Sequence, residues 1–106
     1  MIKTINIAKD FSRFPYGRHR KYSETSGEAF REDLLLPALK EPDQVIYVEL
    51  DGTEGYGSSF LDEAFANLIR TNGFTKDEVL KRVHFISKKD PSLIDEIKTY
   101  INEAAQ

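Results

Sequence analysis

Val45-Ile46-Tyr47-Val48-Glu49-Leu50, followed directly by residues 51–59 (DGTEGYGSS), is the stretch that decides the fold of this chain. The first part is a nearly continuous run of β-branched and aromatic side chains, which is typical of a central strand covered on both faces. The second part, here called the corner, leads the chain from this strand into a helix. Because open α/β sheets bind their partners beyond the carboxyl ends of the strands, the corner is the predicted working surface.

Strands and helices are predicted to alternate on both sides of this stretch. Residues 2–8 and 83–86 have the composition of short strands. Helices are predicted where apolar residues recur at helical spacing behind a capping box, a hydroxyl followed three residues later by an acid. The boxes are Thr25/Glu28 for a helix over 26–40, Ser59/Asp62 for a helix that stops at Asn72-Gly73, and Thr75/Glu78 for a helix over 76–82. The last helix is expected to have Asp90 as its N-cap and Pro91 as its first residue.

This order of elements defines the fold class. Strands that alternate with helices pair in parallel through right-handed crossovers, and the helices pack on the sheet. The chain is therefore predicted to be an α/β protein, a sandwich with a small, mostly parallel central sheet and about four helices. Its 106 residues are close to the commonest domain size, so residues 1–106 are expected to form a single domain.

The composition excludes several kinds of site. The chain has no cysteine, which excludes disulfides, thiolate zinc sites and a catalytic thiol. His19 and His84 are the only histidines, so no metal site and no cofactor is predicted. The formal net charge of -3 argues against broad attraction to nucleic acid or to a membrane surface. Without a signal-peptide pattern or an apolar stretch of about 18 residues, the protein is expected to be cytoplasmic.

Ser58 and Ser59 are predicted to lie at the start of the helix that follows the corner. A helix N-terminus has unpaired N–H groups and the positive end of the helix dipole, so it favours a bound anion or a phosphorylated serine. The simpler interpretation is that Ser59 only caps the helix while the glycines form a tight turn, and both interpretations can hold together. The predicted partner-binding residues are Asp51, Glu54, Tyr56, Gly57, Ser58, Ser59, Phe60, Asp62 and Glu63.

The corner does not match the common nucleotide-binding motifs. Gly55 and Gly57 supply only part of the dinucleotide fingerprint, with Phe60 at the third glycine position, and no lysine follows Gly57 as a P-loop requires. The acids near the corner have no histidine beside them in sequence, so no catalytic residue is predicted. His84 lies inside an apolar strand, where a structural imidazole is expected. The chain is therefore predicted not to be an enzyme.

Residues 11–22 are a second candidate surface, because basic and aromatic side chains alternate there. This mixture suits backbone and stacking contacts to nucleic acid, or else a solvated loop whose aromatic rings pack on the core and whose arginines pair with acids. The residues are Phe11, Arg13, Phe14, Tyr16, Arg18, His19, Arg20, Lys21 and Tyr22. A second anion pocket is predicted where this loop meets the next helix, and its residues are Arg18, Arg20, Ser26, Gly27 and Arg31.

Three motifs resemble the bacterial STAS-like domain family. They are Phe14-Pro15-Tyr16-Gly17-Arg18, Ser26-Gly27-Glu28-Ala29-Phe30-Arg31, and residues 55–65 (GYGSSFLDEAF), within about residues 11–71. The family is related to the STAS domains of sulfate transporters and anti-sigma factor antagonists, an α/β fold in which a serine after the central strand begins a helix and is phosphorylated by a partner kinase. Ser58 and Ser59 are similar to that position, although Gly57 replaces the acid that normally precedes the serine.

This resemblance implies a regulatory role. Members of the family resemble partners of histidine-kinase-type ATPases, and some occur in bacterial defence gene clusters. The chain is therefore expected to be a regulatory, signalling module that binds a histidine-kinase-type ATPase or an anti-sigma-like kinase. The alternative that stays open is a nucleic-acid or nucleotide-phosphate binding domain that uses residues 11–22.

Overall fold

The computed structural model describes the whole chain, residues 1–106. The strands are β1 (Ile2–Asn6), β2 (Val45–Glu49) and β3 (Val83–Ile86). The helices are α1 (27–39), α2 (58–70), α3 (Lys76–Arg82) and α4 (Ser92–Ala104). None of the helices has the length and apolar character needed to cross a membrane. These elements confirm the predicted α/β class.

The sheet is small and entirely parallel, with the strand order β1-β2-β3. β2 lies in the centre, where Ile46 is paired with Lys3 of β1 and with Val83 of β3. Parallel neighbours need a crossover connection, which α1 supplies between β1 and β2, and α2 with α3 between β2 and β3. The prediction that residues 45–50 contain the central strand is confirmed.

Only one face of the sheet is covered by helices, so the prediction that β2 is buried on both faces is wrong. Ile5 and Val48 are buried on the covered face, beneath α1 and α2. On the opposite face Thr4 is exposed, and Tyr47 is half-buried beside His84, with ring centroids 5.2 Å apart. A run of β-branched and aromatic residues fits a half-exposed sheet surface as well as a buried one, and this is why the pattern misled.

β1 is shorter than the predicted strand over residues 2–8. It ends at Asn6, and Ile7–Phe11 forms a single π-helical turn. Asn6 stops the strand because its side chain accepts the N–H of Lys9 at 3.1 Å, while its own N–H donates to Asp10 at 2.7 Å. These local hydrogen bonds compete with the sheet for the backbone.

The first and third predicted capping boxes have different outcomes. Thr75 and Glu78 form the reciprocal box in full at the start of α3, which confirms that prediction. At α1 the cap is Ser26 instead of Thr25, because the Ser26 hydroxyl accepts the N–H of Ala29 at 3.1 Å. The spacing therefore located the start of α1 to within one residue.

Two other helix starts also differ from prediction. α2 begins at Ser58 with Gly57 in the N-cap position, so Ser59 is in the first turn and does not cap the helix. α4 begins one residue later than predicted, with Pro91 in place of Asp90 at the N-cap. In both cases the N-cap residue, Gly57 or Pro91, has no side chain that bonds to the helix. Sequence spacing does not reveal a helix start of this kind.

α1 runs through Pro37 and ends close to the predicted boundary of the range 26–40. A π-helical turn at Arg31–Leu35 precedes the proline, and in it the N–H of Leu36 donates to a carbonyl five residues earlier. Proline has no N–H to donate and would otherwise break the regular ladder. The wider turn lets the helix continue.

α1 and α2 pack closely against each other at Gly27. A Cβ atom on Gly27 would lie 2.5 Å from the carbonyl oxygen of Phe60 and 2.9 Å from Cβ of Glu63. Only glycine allows this approach of two helices. Beneath the contact, the rings of Phe30, Phe60 and Phe65 pack together with centroid separations of 6.1 and 5.9 Å. The first turns of α1 and α2 therefore lie side by side over the core.

Candidate functional site

The corner leaves β2 through two glycines with positive φ, Gly52 at 102° and Gly55 at 128°. Residues with a Cβ rarely adopt these angles. The hydroxyl of Tyr56 donates to the carbonyl of Leu50 at 2.7 Å, and its ring lies 5.7 Å from that of Phe60. Burial raises the pKa of Tyr56 to about 12, so the phenol is a neutral donor near pH 7. Tyr56 therefore holds the corner against the end of β2.

Asp51 joins the corner to the residues that follow β3. Its carboxylate accepts the N–H groups of Lys88 at 2.9 Å and Lys89 at 3.2 Å. The hydrogen bond from Lys88 is the main reason that the pKa of Asp51 is lowered. Asp51 thus fixes the corner from the β3 side.

The start of α2 is open to solvent. Gly57 occupies the N-cap in an extended conformation, and no side chain caps the helix. Ser58 and Ser59 are both exposed. The N–H groups of Ser58, Ser59 and Phe60 have no acceptor within the chain, whereas that of Leu61 bonds to the carbonyl of Gly57 at 3.3 Å. Three backbone donors are therefore unused at the positive end of the helix dipole, beside the exposed hydroxyl of Ser59.

The predicted partner-binding residues do not all reach the surface. Glu54 is exposed together with Gly57 and the two serines. Phe60 and Glu63 are buried, so they cannot contact a partner while the core is intact, and their assignment to a partner surface is corrected. Asp51, Tyr56 and Asp62 are partly buried and bond within the chain.

Asp62 binds two arginines on the outer side of α2. Its Oδ2 accepts from Arg18 Nη1 at 2.8 Å and from Arg70 Nη1 at 2.9 Å. Partial burial of Asp62 acts to raise its pKa, but the hydrogen bonds from the two guanidinium groups outweigh burial, and the pKa is lowered. Arg18 therefore anchors the loop before α1 to the first turns of α2.

Arg31 and Glu63 form a buried ion pair between α1 and α2. Arg31 Nη1 donates to Glu63 Oε2 at 2.6 Å and also to the backbone carbonyl of Glu63, while Arg31 Nε has no acceptor. In the π-helical turn Asp62–Ala66 the N–H of Asn67 donates to the carbonyl of Asp62. The carbonyl of Glu63 is therefore free to accept from Arg31. Burial opposes ionisation of Glu63, yet the bond from Arg31 lowers its pKa.

The start of α1, where a second anion pocket is predicted, is closed. The N–H of Gly27 donates to the carbonyl of Gly17 at 2.9 Å. The N–H of Glu28 donates to the carbonyl of Arg18 at 3.1 Å, and the N–H of Ala29 donates to the buried hydroxyl of Ser26. No donor of this helix start is left for an anion.

The arginines of the predicted pocket are engaged as well. Arg20 binds Glu32 at 2.6 Å and Asp33 at 2.8 Å, and Arg31 is buried against Glu63. Each positive charge is therefore offset by a nearby carboxylate. The structure brings the five predicted residues near one helix start, but there the backbone donors bond within the chain and each arginine is paired with a carboxylate.

The loop between β1 and α1, residues 12–25, places three aromatic side chains on the surface. Phe14, Tyr16 and Tyr22 are 63%, 74% and 78% exposed. The N–H of Glu54 donates to the carbonyl of Arg13 at 2.9 Å, so the loop contacts the corner. Phe14 and Tyr16 therefore lie in a loop segment that contacts the corner at Glu54. The motif containing Phe14 and Tyr16 was the sequence signal for this surface.

His19, Glu28 and Glu63 bring three potential metal-ligand atoms within 4.8 Å of one another. One oxygen of Glu63 already accepts from Arg31, and the other lies 3.6 Å from Arg18 Nη1. Two guanidinium charges beside the cluster would repel a cation. The cluster fits an ion-pair network better than a metal centre.

One comparison with known proteins gives a match. The family described as a STAS-like domain of unknown function (DUF4325) matches residues 26–93, well over half of the chain. The match runs from the cap of α1 through β2, the corner, α2, α3 and β3 to the beginning of α4. No curated protein and no solved structure matches.

Proposed function

This chain belongs to the STAS-like domain family, and we propose that it is a regulatory protein-binding module of a bacterial signalling system and not an enzyme. Its partner is a cytoplasmic histidine-kinase-type ATPase or anti-sigma-like kinase. The partner docks at the open start of α2 and phosphorylates a serine there. A role of this kind uses no metal or cofactor of the module's own.

The observation that carries this proposal is the open start of α2. Ser58 and Ser59 are exposed beside three N–H groups that have no acceptor. A phosphate at this position gains hydrogen bonds from unpaired N–H groups and a favourable interaction with the helix dipole. The resemblance to anti-sigma factor antagonists, which are phosphorylated at a serine in this part of the fold, is the ground for the class of partner.

The proposed docking surface includes more than the serines. We define it as the start of α2, Glu54 of the corner, and the loop residues Arg13, Phe14 and Tyr16. Arg13 and Glu54 hold the loop against the corner, because their backbones share a hydrogen bond of 2.9 Å and their side chains lie 4.0 Å apart. Aromatic residues are enriched at protein interfaces, and the two here are mostly exposed.

The proposed reaction is a phosphoryl transfer whose chemistry resides in the partner. The partner binds a nucleoside triphosphate, and a serine Oγ of this chain attacks the terminal phosphorus. A P–O bond forms to the serine, the bond to the nucleoside diphosphate breaks, and the hydroxyl proton passes to a base of the partner. The added charge alters docking at the same surface.

The first test is phosphorylation by a candidate partner kinase, one that is encoded next to the gene of this chain. The chain and the variants Ser58→Ala, Ser59→Ala and Ser92→Ala are incubated with the kinase and ATP, and the products are analysed by mass spectrometry. Ser92 is the matched control, since it is also an exposed serine at a helix start. Phosphate on the corner serines but not on Ser92 supports the proposal. An unmodified chain that also forms no complex with the kinase would contradict it.

The second test measures docking by calorimetry. Phe14→Ala is expected to weaken the complex about tenfold, in the range of an interface anchor. Ile2→Ala is the control, because Ile2 is similarly exposed but begins β1, at the end of the sheet away from the corner. Equal effects of the two substitutions would place the interface elsewhere.

Nucleic-acid binding by residues 11–22 is the weaker alternative. It depends on the basic side chains of Arg13, Arg18, Arg20 and Lys21, and two of these are already engaged, because Arg18 is bound to Asp62 and Arg20 to Asp33, each at 2.8 Å. Binding that relies on phosphate neutralisation weakens steeply with salt. We expect no anisotropy change with single-stranded DNA at low salt, and a salt-sensitive change lost in Arg20→Ala would revive the alternative.

A further inference from the structure

The outer edge of β3 carries backbone groups that no part of the chain uses. The N–H of Leu50 donates to the carbonyl of Ile86 at 2.8 Å, so Ile86 turns its backbone groups toward β2. Because successive residues of a strand turn these groups to opposite sides, Val83, Phe85 and Ser87 turn theirs away from the sheet. The N–H of Val83 donates to a carbonyl of α3. The carbonyl of Val83, both groups of Phe85 and the N–H of Ser87 have no partner.

An apolar groove lies beside this edge, between β3 and the helices α3 and α4. Its volume is about 360 Å³, and the six residues that line it are Leu80, Val83, His84, Phe85, Ile94 and Lys98. Leu80, Phe85 and Ile94 are only half-buried. A strand added to the edge of β3 would place every second side chain in this groove, because side chains alternate between the two faces of a sheet. The edge and the groove together therefore fit an extended segment with apolar side chains.

Lys98 determines which charge such a segment can carry. It is exposed, and no aspartate or glutamate lines the groove with it. It takes part in none of the ion pairs of the chain. Asp95, three residues earlier on α4, does not line the groove. An unpaired ammonium group beside half-buried apolar side chains favours a segment that brings a carboxylate.

The opposite edge of the sheet has similar free groups but the other charge. The N–H of Val45 donates to the carbonyl of Met1 at 2.9 Å, so Thr4 turns its N–H and carbonyl away from β2 and finds no partner for them. The groove beside β1 is larger, about 660 Å³, and the charged side chains that line it are those of Lys3, Asp10, Asp33 and Glu41. Carboxylates outnumber ammonium groups there, so an acidic segment is repelled from β1 and attracted to β3.

We propose that the edge of β3 is a second docking surface, and that it binds an extended segment of a partner protein with apolar and acidic residues at alternate positions. The segment adds a fourth strand to the sheet. Its backbone bonds to the free groups of Val83, Phe85 and Ser87. An apolar side chain fills the groove against Ile94, and an acid two residues away pairs with Lys98. None of these residues belongs to the surface at the start of α2, so the proposal does not rest on the proposed function.

The test uses the full isotope-labelled chain and synthetic peptides that alternate valine with threonine. One peptide has a glutamate in place of a valine, and the matched peptide has a lysine at the same position. Amide NMR shifts and hydrogen exchange report where each peptide binds. We expect the glutamate peptide to shift and protect the amides of Phe85 and Ser87 and to leave that of Thr4 unchanged. The lysine peptide should bind the edge of β3 at least about tenfold more weakly.

Matched variants and a modified peptide separate the two parts of the surface. Lys98→Glu should reverse the preference between the two peptides, and the fold is kept because Lys98 is exposed. Lys9→Glu makes the same change in net charge at an exposed position after β1 and should alter neither affinity. The glutamate peptide methylated on its backbone nitrogens keeps its side chains but cannot donate to a strand edge, so it should not bind.

Several results would overturn the proposal. These are equal binding of the glutamate and lysine peptides, shifts at Thr4 in place of Phe85, binding of the methylated peptide, and no binding of any peptide. Protection of the Phe85 and Ser87 amides without peptide, together with a dimer in sedimentation, would mean that a second copy of this chain fills the edge. A failure of the phosphorylation test leaves these expectations unchanged, since no kinase is used here.

Discussion

The starts of α1 and α2 lie side by side and both carry serine, yet only one of them is open. At α1 the buried Ser26 caps the helix, and the N–H groups of Gly27 and Glu28 bond to the preceding loop. At α2 the serines are exposed and the first N–H groups are free. The difference teaches that a serine at a helix start is a candidate for regulation only where no other segment fills the helix end.

The largest expected effect comes from the ion pair that joins the two helices. Arg31→Met should destabilise the protein by about 3 kcal/mol, because it removes the closest partner of the buried Glu63 and leaves only Arg18, at 3.6 Å. Urea denaturation gives the free energy of unfolding. Adding Glu63→Met should restore part of the lost stability, since the buried carboxylate charge is then removed. A single substitution that costs less than about 1 kcal/mol would mean that the pair does not hold the helices together.

The next effect concerns the close approach at the start of α1. Gly27→Ala should cost about 3 kcal/mol, at the upper end for an overpacked site, because the new Cβ would meet the backbone of Phe60. Gly57→Ala at the start of α2 meets nothing within 4 Å and should cost less than about 1 kcal/mol. Thermal unfolding of both variants tests the contrast. Similar costs would show that the two starts are not packed differently.

A smaller effect separates the serines themselves. Ser26→Ala removes a cap and leaves the N–H of Ala29 unpaired in the interior, so it should cost about 1 kcal/mol or somewhat more. Ser59→Ala removes an exposed side chain without a hydrogen bond and should change stability by less than about 0.5 kcal/mol. Chemical denaturation of the two variants gives the free energies of unfolding to be compared. A substantial cost for Ser59→Ala would assign that serine a structural role.

The smallest expected effect is a decrease in the free energy of unfolding at acidic pH. The pKa values of Asp62 and Glu63 are lowered from 3.8 and 4.5 by their arginine partners, against the opposing effect of burial. The unfolded chain therefore takes up protons first as the pH falls. The stabilisation is complete above about pH 4.5 and is lost as the pH falls through the folded-state values. Asp62→Asn should flatten the curve of unfolding free energy against pH, and an unchanged curve would contradict the assignment.

Some of this site could be predicted from sequence because the signals are local. The glycines of the corner and the capping box of Thr75 and Glu78 act within a few residues, and both are present. Glu63 could not be placed, because its exposure depends on the partner helix: we expected it among the surface residues, and it is buried against Arg31. The π-helical turns likewise depend on packing and left no spacing signal.

By itself the sequence determined the order of strands and helices, the parallel sheet, and the position of two hydroxyls after the central strand, since periodicity and turn residues fix these features locally. Only the tertiary structure decided which helix start is closed, which arginines are already paired, and which face of the sheet is bare. The physical reason is that the acceptors of a helix end come from distant residues. Gly17 and Arg18 supply them to α1, and no segment supplies them to α2.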